Sequence, residues 1–98
     1  MNIIILGAGA IGSLYGAKLS KLNNVILVGN EQHVEKINKN GLKIVGLENR
    51  IYRIKATTKV KKIESNTLIL LTTKVHDSKK AINSIKHLVK KDTIILCL

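Results

Sequence analysis

The sequence predicts an α/β domain on a mostly parallel sheet, and three observations carry that prediction. Short apolar runs of strand length alternate with segments of helical period along the whole chain. The first run, residues 2–6, is apolar at nearly every position, as in a strand buried on both faces of a parallel sheet. A glycine cluster, residues 7–12, stands between that strand and the first helical segment. At 98 residues the chain suffices for one domain with one real core.

The elements follow in order. From Ile11 onward the helical spacing of Ile11, Leu14, Tyr15, Leu19 and Leu22 predicts an apolar helix face, with Lys18, Ser20 and Lys21 opposite. Asn23-Asn24 ends that helix, and residues 25–28 form a second buried strand. Residues 31–39 read as a short helix closed by Asn40-Gly41, a pair suited to a left-handed C-cap. Residues 42–45 and 51–56 are strand-like runs separated by 46–50, which predicts a hairpin-like insertion near 42–56. Residues 57–66 are polar and basic, with Val60 and Ile63 the large apolar exceptions; they predict a loop and a poor helical turn. Residues 67–72 form another buried strand. From Asp77 the helical period returns, with Ala81, Ile82, Ile85, Leu88 and Val89 on one face. Residues 93–98 form the final strand, which leaves an apolar face uncovered and predicts marginal stability or self-association of the isolated piece, with a homo-oligomer as one outcome.

Composition narrows the function. The net charge is +11, from 17 basic and 6 acidic residues. The basic residues are nearly all Lys, spread along the chain, with Arg at positions 50 and 53 only, and two Tyr are the sole aromatics. Stacking platforms for bases are therefore scarce, and the Lys runs read as a solvated face, not a nucleic-acid surface. No apolar run approaches the roughly 20 residues of a membrane span, and the opening residues do not resemble a signal peptide. The single Cys97 cannot form an internal disulfide, has no metal-ligand partners at suitable spacing, and reads as a small buried hydrophobe. A cytoplasmic protein without a bound metal is the expectation.

The chemistry-bearing motif is Gly7-Ala8-Gly9-Ala10-Ile11-Gly12, a GxGxxG. It follows a buried strand, opens a helix and sits in a βαβ unit, which is the setting of a Rossmann-type dinucleotide site. Gly7 permits the turn, Gly9 admits the pyrophosphate to the backbone, and Gly12 lets helix and sheet pack closely. The helix N-terminus then offers free N–H groups and partial positive charge to the phosphates. At the end of the second strand an Asp or Glu would mark NAD, and a base would mark NADP. Neutral Asn30 stands there, Glu31 comes one step late, and His33 and Lys36 follow. The preference leans to NADP and leaves NAD open. Glu31 suits equally a first-turn acid complementing its own helix dipole.

These residues resemble the ketopantoate reductases (2-dehydropantoate 2-reductases). The resemblance lies in residues 3–16 around the glycine motif and in Leu27-Val28-Gly29 with Glu31, His33-Val34, Ile37 and Asn40-Gly41-Leu42. It continues in Leu70-Leu71-Thr72-Thr73-Lys74 with His76-Asp77 and Ala81. It implies NADPH-dependent reduction of ketopantoate to pantoate, in pantothenate and coenzyme A biosynthesis, and makes Lys74 a cofactor-binding residue. A Lys just past a parallel strand's carboxyl end would also face the ligand crevice on general grounds. Many members of the family carry Arg at the position of Asn30, to pair with the 2′-phosphate; Asn30 lacks that charge, so NADH use stays open. The resemblance further implies that residues 1–98 are the N-terminal cofactor domain, truncated in or just after its last strand. A helical domain absent here would supply the catalytic Lys and hold the small 2-oxo acid. No residue of this chain is assigned a catalytic role, and His87 reads as a solvated side chain. Two other classes stay open: a dehydrogenase for another 2-oxo or 3-hydroxy acid, and a nucleotide-sensing regulatory module.

Overall fold

The computed structural model describes residues 1–7, 9–46, 49–72 and 75–97, and the side chains among these except at positions 10 and 75–77. Strands β1 (Asn2–Leu6), β2 (Asn24–Val28), β5 (Lys55–Thr57), β6 (Thr67–Leu71) and β7 (Ile94–Cys97) form one sheet in the order β5-β2-β1-β6-β7. All four pairings are parallel, with Leu6 level with both Val28 and Leu71. β1 lies at the centre, which is why Ile3, Ile4, Ile5 and Leu6 are all buried.

Because strand side chains alternate, the sheet feeds two cores. Ile3, Ile5, Val25, Leu27 and Leu70 pack on one face with Ala17 of α1 (Ala10–Leu19) and with Val34 and Ile37 of α2 (Glu31–Asn40). On the other face Ile4, Leu6, Ile69 and Leu71 meet Ile63 and α3 (Val75–Ile85), through Ala81, Ile82 and Ile85. Helices thus cover both faces, and the Rossmann-type, doubly wound architecture expected from the sequence is the observed one.

The hairpin also forms, although its second run divides. β3 (Leu42–Ile44) pairs antiparallel with β4 (Arg50–Tyr52) in a separate small sheet, while Lys55–Thr57 joins the central sheet beside β2. One apolar run therefore serves two sheets, a division that depends on pairing partners remote in sequence. Gly41 ends α2 with its N–H donating to Ile37 O at 2.8 Å. Its φ of +81° is left-handed as expected, but ψ of 172° places it in a region open essentially to glycine alone.

Four other expectations need correction. Leu19 of α1 packs partly on the core, but the other large apolar residues do not form its buried face: Ile11 is 64% exposed, and Leu14 and Tyr15 are each 45% exposed. Gly12, Ser13, Gly16 and Ala17 face the sheet instead, because the helix lies too close for anything larger. A Cβ at Gly16 would come 2.6 Å from Leu27 Cδ2. Leu22 lies beyond the helix and is exposed. Residues 58–66 contain no helical turn, yet Val60 and Ile63 still pack on the sheet. The third helix closes with a 3-10 turn, Lys86–Leu88, which breaks the helical face before Val89. Cys97 is exposed, because β7 is the sheet's far edge and Ile94, Ile95 and Leu96 are exposed along with it.

The opposite edge is closed by a side chain. Asn38 of α2 donates from Nδ2 to Ala56 O at 2.9 Å and accepts at Oδ1 from Ala56 N at 3.1 Å. It does for β5 what a further strand would do. Asn38→Asp keeps the shape but sets a carboxylate oxygen against the Ala56 carbonyl. We expect it to cost about 1–3 kcal/mol in a urea titration, the range for leaving a part-buried backbone group unpaired. Elsewhere on the surface Lys62 pairs with Glu64 at 2.9 Å. That hydrogen bond, with the Lys62 charge, holds the Glu64 carboxyl below the usual carboxylate range.

Candidate functional site

The carboxyl ends of four strands are tied into one row. Gly29 N–H donates to Thr57 O at 3.1 Å, Gly7 N–H to Val28 O at 3.0 Å, and Thr72 N–H to Leu6 O at 3.0 Å. From β1 the chain runs outward through β2 to β5, and then returns to β6 and β7 on the other side. The strand order therefore reverses between β1 and β6, which is where open α/β sheets form their ligand crevice. The glycine loop leaves β1 at that point, and Thr72 leaves β6 beside it.

Three glycines of the motif occupy three different environments. Gly7 has φ of +97°, so the exit from β1 uses a conformation that side chains disfavour. Gly9 is the N-cap of α1 with extended φ and ψ of −82° and −162°, and a Cβ built on it would meet no atom within 4 Å. Gly12 is the opposite: its Cβ would lie 2.6 Å from Gly7 O, 2.7 Å from Thr72 Oγ1 and 3.1 Å from Ile5 Cγ2. The first bond of the α1 ladder runs from Ser13 N–H to Gly9 O at 2.9 Å. The N–H groups of residues 10–12 precede that ladder, the N-cap glycine has no side chain to cap the helix, and no acid stands in its first turn. An open glycine, an uncapped helix start and a sheet edge converge, which is the arrangement an anionic phosphate needs.

Asn30 lies at the end of β2 but is already engaged. It is the N-cap of α2, its Oδ1 accepting from His33 N–H at 2.9 Å, while Glu31 occupies the first turn of that helix. Of the other predicted residues, Ile11 is exposed in the first turn of α1, Ala10 opens that helix, and Ala8 and Lys74 lie outside the described residues. His76 falls in the first turn of α3, and His87 is exposed on the 3-10 turn, as expected. Among the described residues no three His, Cys, Asp or Glu side chains gather as metal ligands, and no helix is long and apolar enough to cross a membrane.

Sequence reading missed Thr72 as part of this site. Its hydroxyl donates to Gly7 O at 2.6 Å, a contact across 65 positions of chain. The available signal is its place at the end of an apolar run, in the stretch resembling the reductases.

The family model for ketopantoate reductase PanE/ApbA matches residues 3–98. The chain belongs to the ketopantoate reductase family. The 2-dehydropantoate 2-reductase of Pyrococcus horikoshii is 48% identical over 99 residues, covering 100% of this chain and 32% of that protein. That of Pyrococcus abyssi is 44% identical over 96 residues, covering 97% of this chain and again 32% of its relative. Ketopantoate reductase relatives thus extend to about three times the length of this chain. Among solved structures, a D-mandelate dehydrogenase with NADH and anilino(oxo)acetate superposes with a TM-score of 0.87 at 34% identity. It covers 100% of this chain and 33% of that one. A PanE/ApbA family ketopantoate reductase from Ralstonia eutropha gives 0.86 at 28% identity, covering 100% of this chain and 34% of that one.

Proposed function

We propose that this domain binds NADPH and that the protein carrying it reduces 2-dehydropantoate to pantoate. The carrying observation is the open space at Gly9 on the uncapped start of α1, at the point where the strand order reverses. In this reading residues 7–12, Ala8 among them by its place in the motif, hold the pyrophosphate: Gly7 turns the chain, Gly9 and Ala10 present backbone, Ile11 flanks the entrance, and Gly12 keeps the helix seated. Helix polarity adds attraction worth about 0.3–1 kcal/mol per charge near such a terminus. Asn30 faces the adenosine ribose with Nδ2, since its Oδ1 serves the α2 cap. Lys74, which follows β6 in sequence, is assigned to the cofactor by the resemblance to the ketopantoate reductases.

When bound, the nicotinamide supplies the hydride. The chain's own contribution is to fix and orient that cofactor at the carboxyl edge of the sheet. The proton donor and the 2-oxo acid site belong to a further domain, beyond these residues, as the greater length of the relatives supports. The basic surface favours small anions over nucleic acid, the exposed β7 edge favours pairing with another copy, and a lone cysteine suits the cytoplasm.

A second reading has a specific observation behind it. The D-mandelate dehydrogenase structure contains NADH, and Asn30 offers no positive charge to a 2′-phosphate. The protein would then be an NADH-dependent dehydrogenase of another 2-oxo acid. Side-by-side titrations with NADPH and NADH at two salt concentrations separate the two. Tighter NADPH binding that weakens with salt, with NADPH-dependent reduction of 2-dehydropantoate, is the expected result. Equal or tighter NADH binding would favour the second reading, and binding of neither would sink both.

A further inference from the structure

We infer that Thr72 is a positioning residue for the phosphate loop, acting through the Gly7 carbonyl without touching the ligand. This rests on the nucleotide-binding reading above. The Gly7 oxygen accepts from two donors, Gly9 N–H at 2.8 Å and the Thr72 hydroxyl at 2.6 Å. Thr72 is itself anchored, its N–H donating to Leu6 O at 3.0 Å as the continuation of the β1–β6 ladder. The hydroxyl oxygen also lies 3.0 Å from Leu6 O, but its single proton goes to the nearer Gly7.

The consequence is electrostatic. A carbonyl oxygen turned toward the phosphates would repel them, whereas N–H groups attract them. Gly7, already at φ +97°, lacks the Cβ that would restrict how the following peptide turns, so its carbonyl can face either way. Thr72 removes that freedom. It holds the oxygen on the inner side, within 2.6 Å of where a Gly12 Cβ would stand, so that the N–H groups of residues 10–12 at the start of α1 meet the phosphates with no carbonyl turned among them. The hydroxyl occupies the same space, 2.7 Å from that Cβ position, so Thr72 and Gly12 are matched as one unit.

The test uses the protein with NADPH as probe, each variant measured well below its melting transition. Thr72→Val keeps the side-chain shape and removes the donor; NADPH affinity should fall about tenfold or more, with the variant fully folded by circular dichroism. Thr72→Ser restores the donor and should bind within about threefold of the unsubstituted protein. That rescue is a readout which lost packing alone would not produce, since Ser packs less than Val. Should Thr72→Val not fold, Thr72→Ser against Thr72→Ala carries the same comparison. Unchanged NADPH affinity in folded Thr72→Val, or equal losses in Ser and Ala variants, would overturn the role of Thr72 while leaving nucleotide binding intact. An unsubstituted protein that binds neither NADPH nor NADH would overturn the nucleotide reading, and this inference with it.

Discussion

Gly9→Ala should leave the fold standing and remove most of the nucleotide affinity, while Gly12→Ala should damage the fold first. The two substitutions add the same methyl group to the same motif, three residues apart. At Gly9 the methyl enters open space, and the backbone angles are ones alanine adopts freely. The stability loss should stay below about 1 kcal/mol, the scale of changing an N-cap residue. Yet the methyl stands where the pyrophosphate would approach, so NADPH affinity should fall more than about tenfold, or roughly 1.4 kcal/mol. At Gly12 the methyl would meet a backbone oxygen at 2.6 Å, which cannot swing aside as a flexible side chain could. Overpacking of this kind costs about 1–3 kcal/mol, partly offset by the roughly 1 kcal/mol that alanine gains over glycine in a helix. Paired urea titrations and NADPH titrations decide the matter. Equal stability losses at the two sites would contradict the geometry, and full NADPH affinity in Gly9→Ala would contradict the site.

The largest pure stability effect should come from Ile5→Ala. Ile5 is fully buried at the middle of the central strand, between β2 and β6 and beneath α1. Truncation there removes the transfer energy of the lost methylenes and leaves a cavity that two paired strands cannot close, for about 2–5 kcal/mol. A small domain has about 5–15 kcal/mol in total, so such a change could halve it. Leu14→Ala is the informative partner. Helical periodicity puts Leu14 in the core, but it is 45% exposed in the structure. Its truncation should therefore cost no more than about 0.5 kcal/mol. A loss at Leu14 approaching that at Ile5 would mean that the outer face of α1 is covered in solution.

What the sequence by itself determined is the order of the strands and main helices and the place of the glycine loop between β1 and α1. Continuous apolar runs such as residues 2–6 and 67–71 are signals read within a few residues, and a GxGxxG between strand and helix is equally local. The antiparallel hairpin near 42–56 was legible for the same reason, and so was the Gly41 cap. The tertiary structure decided three things that spacing does not encode. It chose the glycine and alanine side of α1 as the buried face, because the helix sits against Ile5, Val25 and Leu27 too closely for its larger residues. A pattern that counts large apolar residues looks for burial by area, whereas here contact is achieved by close approach. It also divided residues 51–56 between two sheets, since the partners of β4 and β5 lie in different parts of the chain. Finally it gave Asn38 to the β5 edge and Thr72 to the Gly7 carbonyl, across 18 and 65 positions. A polar side chain has no periodicity to betray its partner; only the folded backbone brings the matching donor and acceptor within reach.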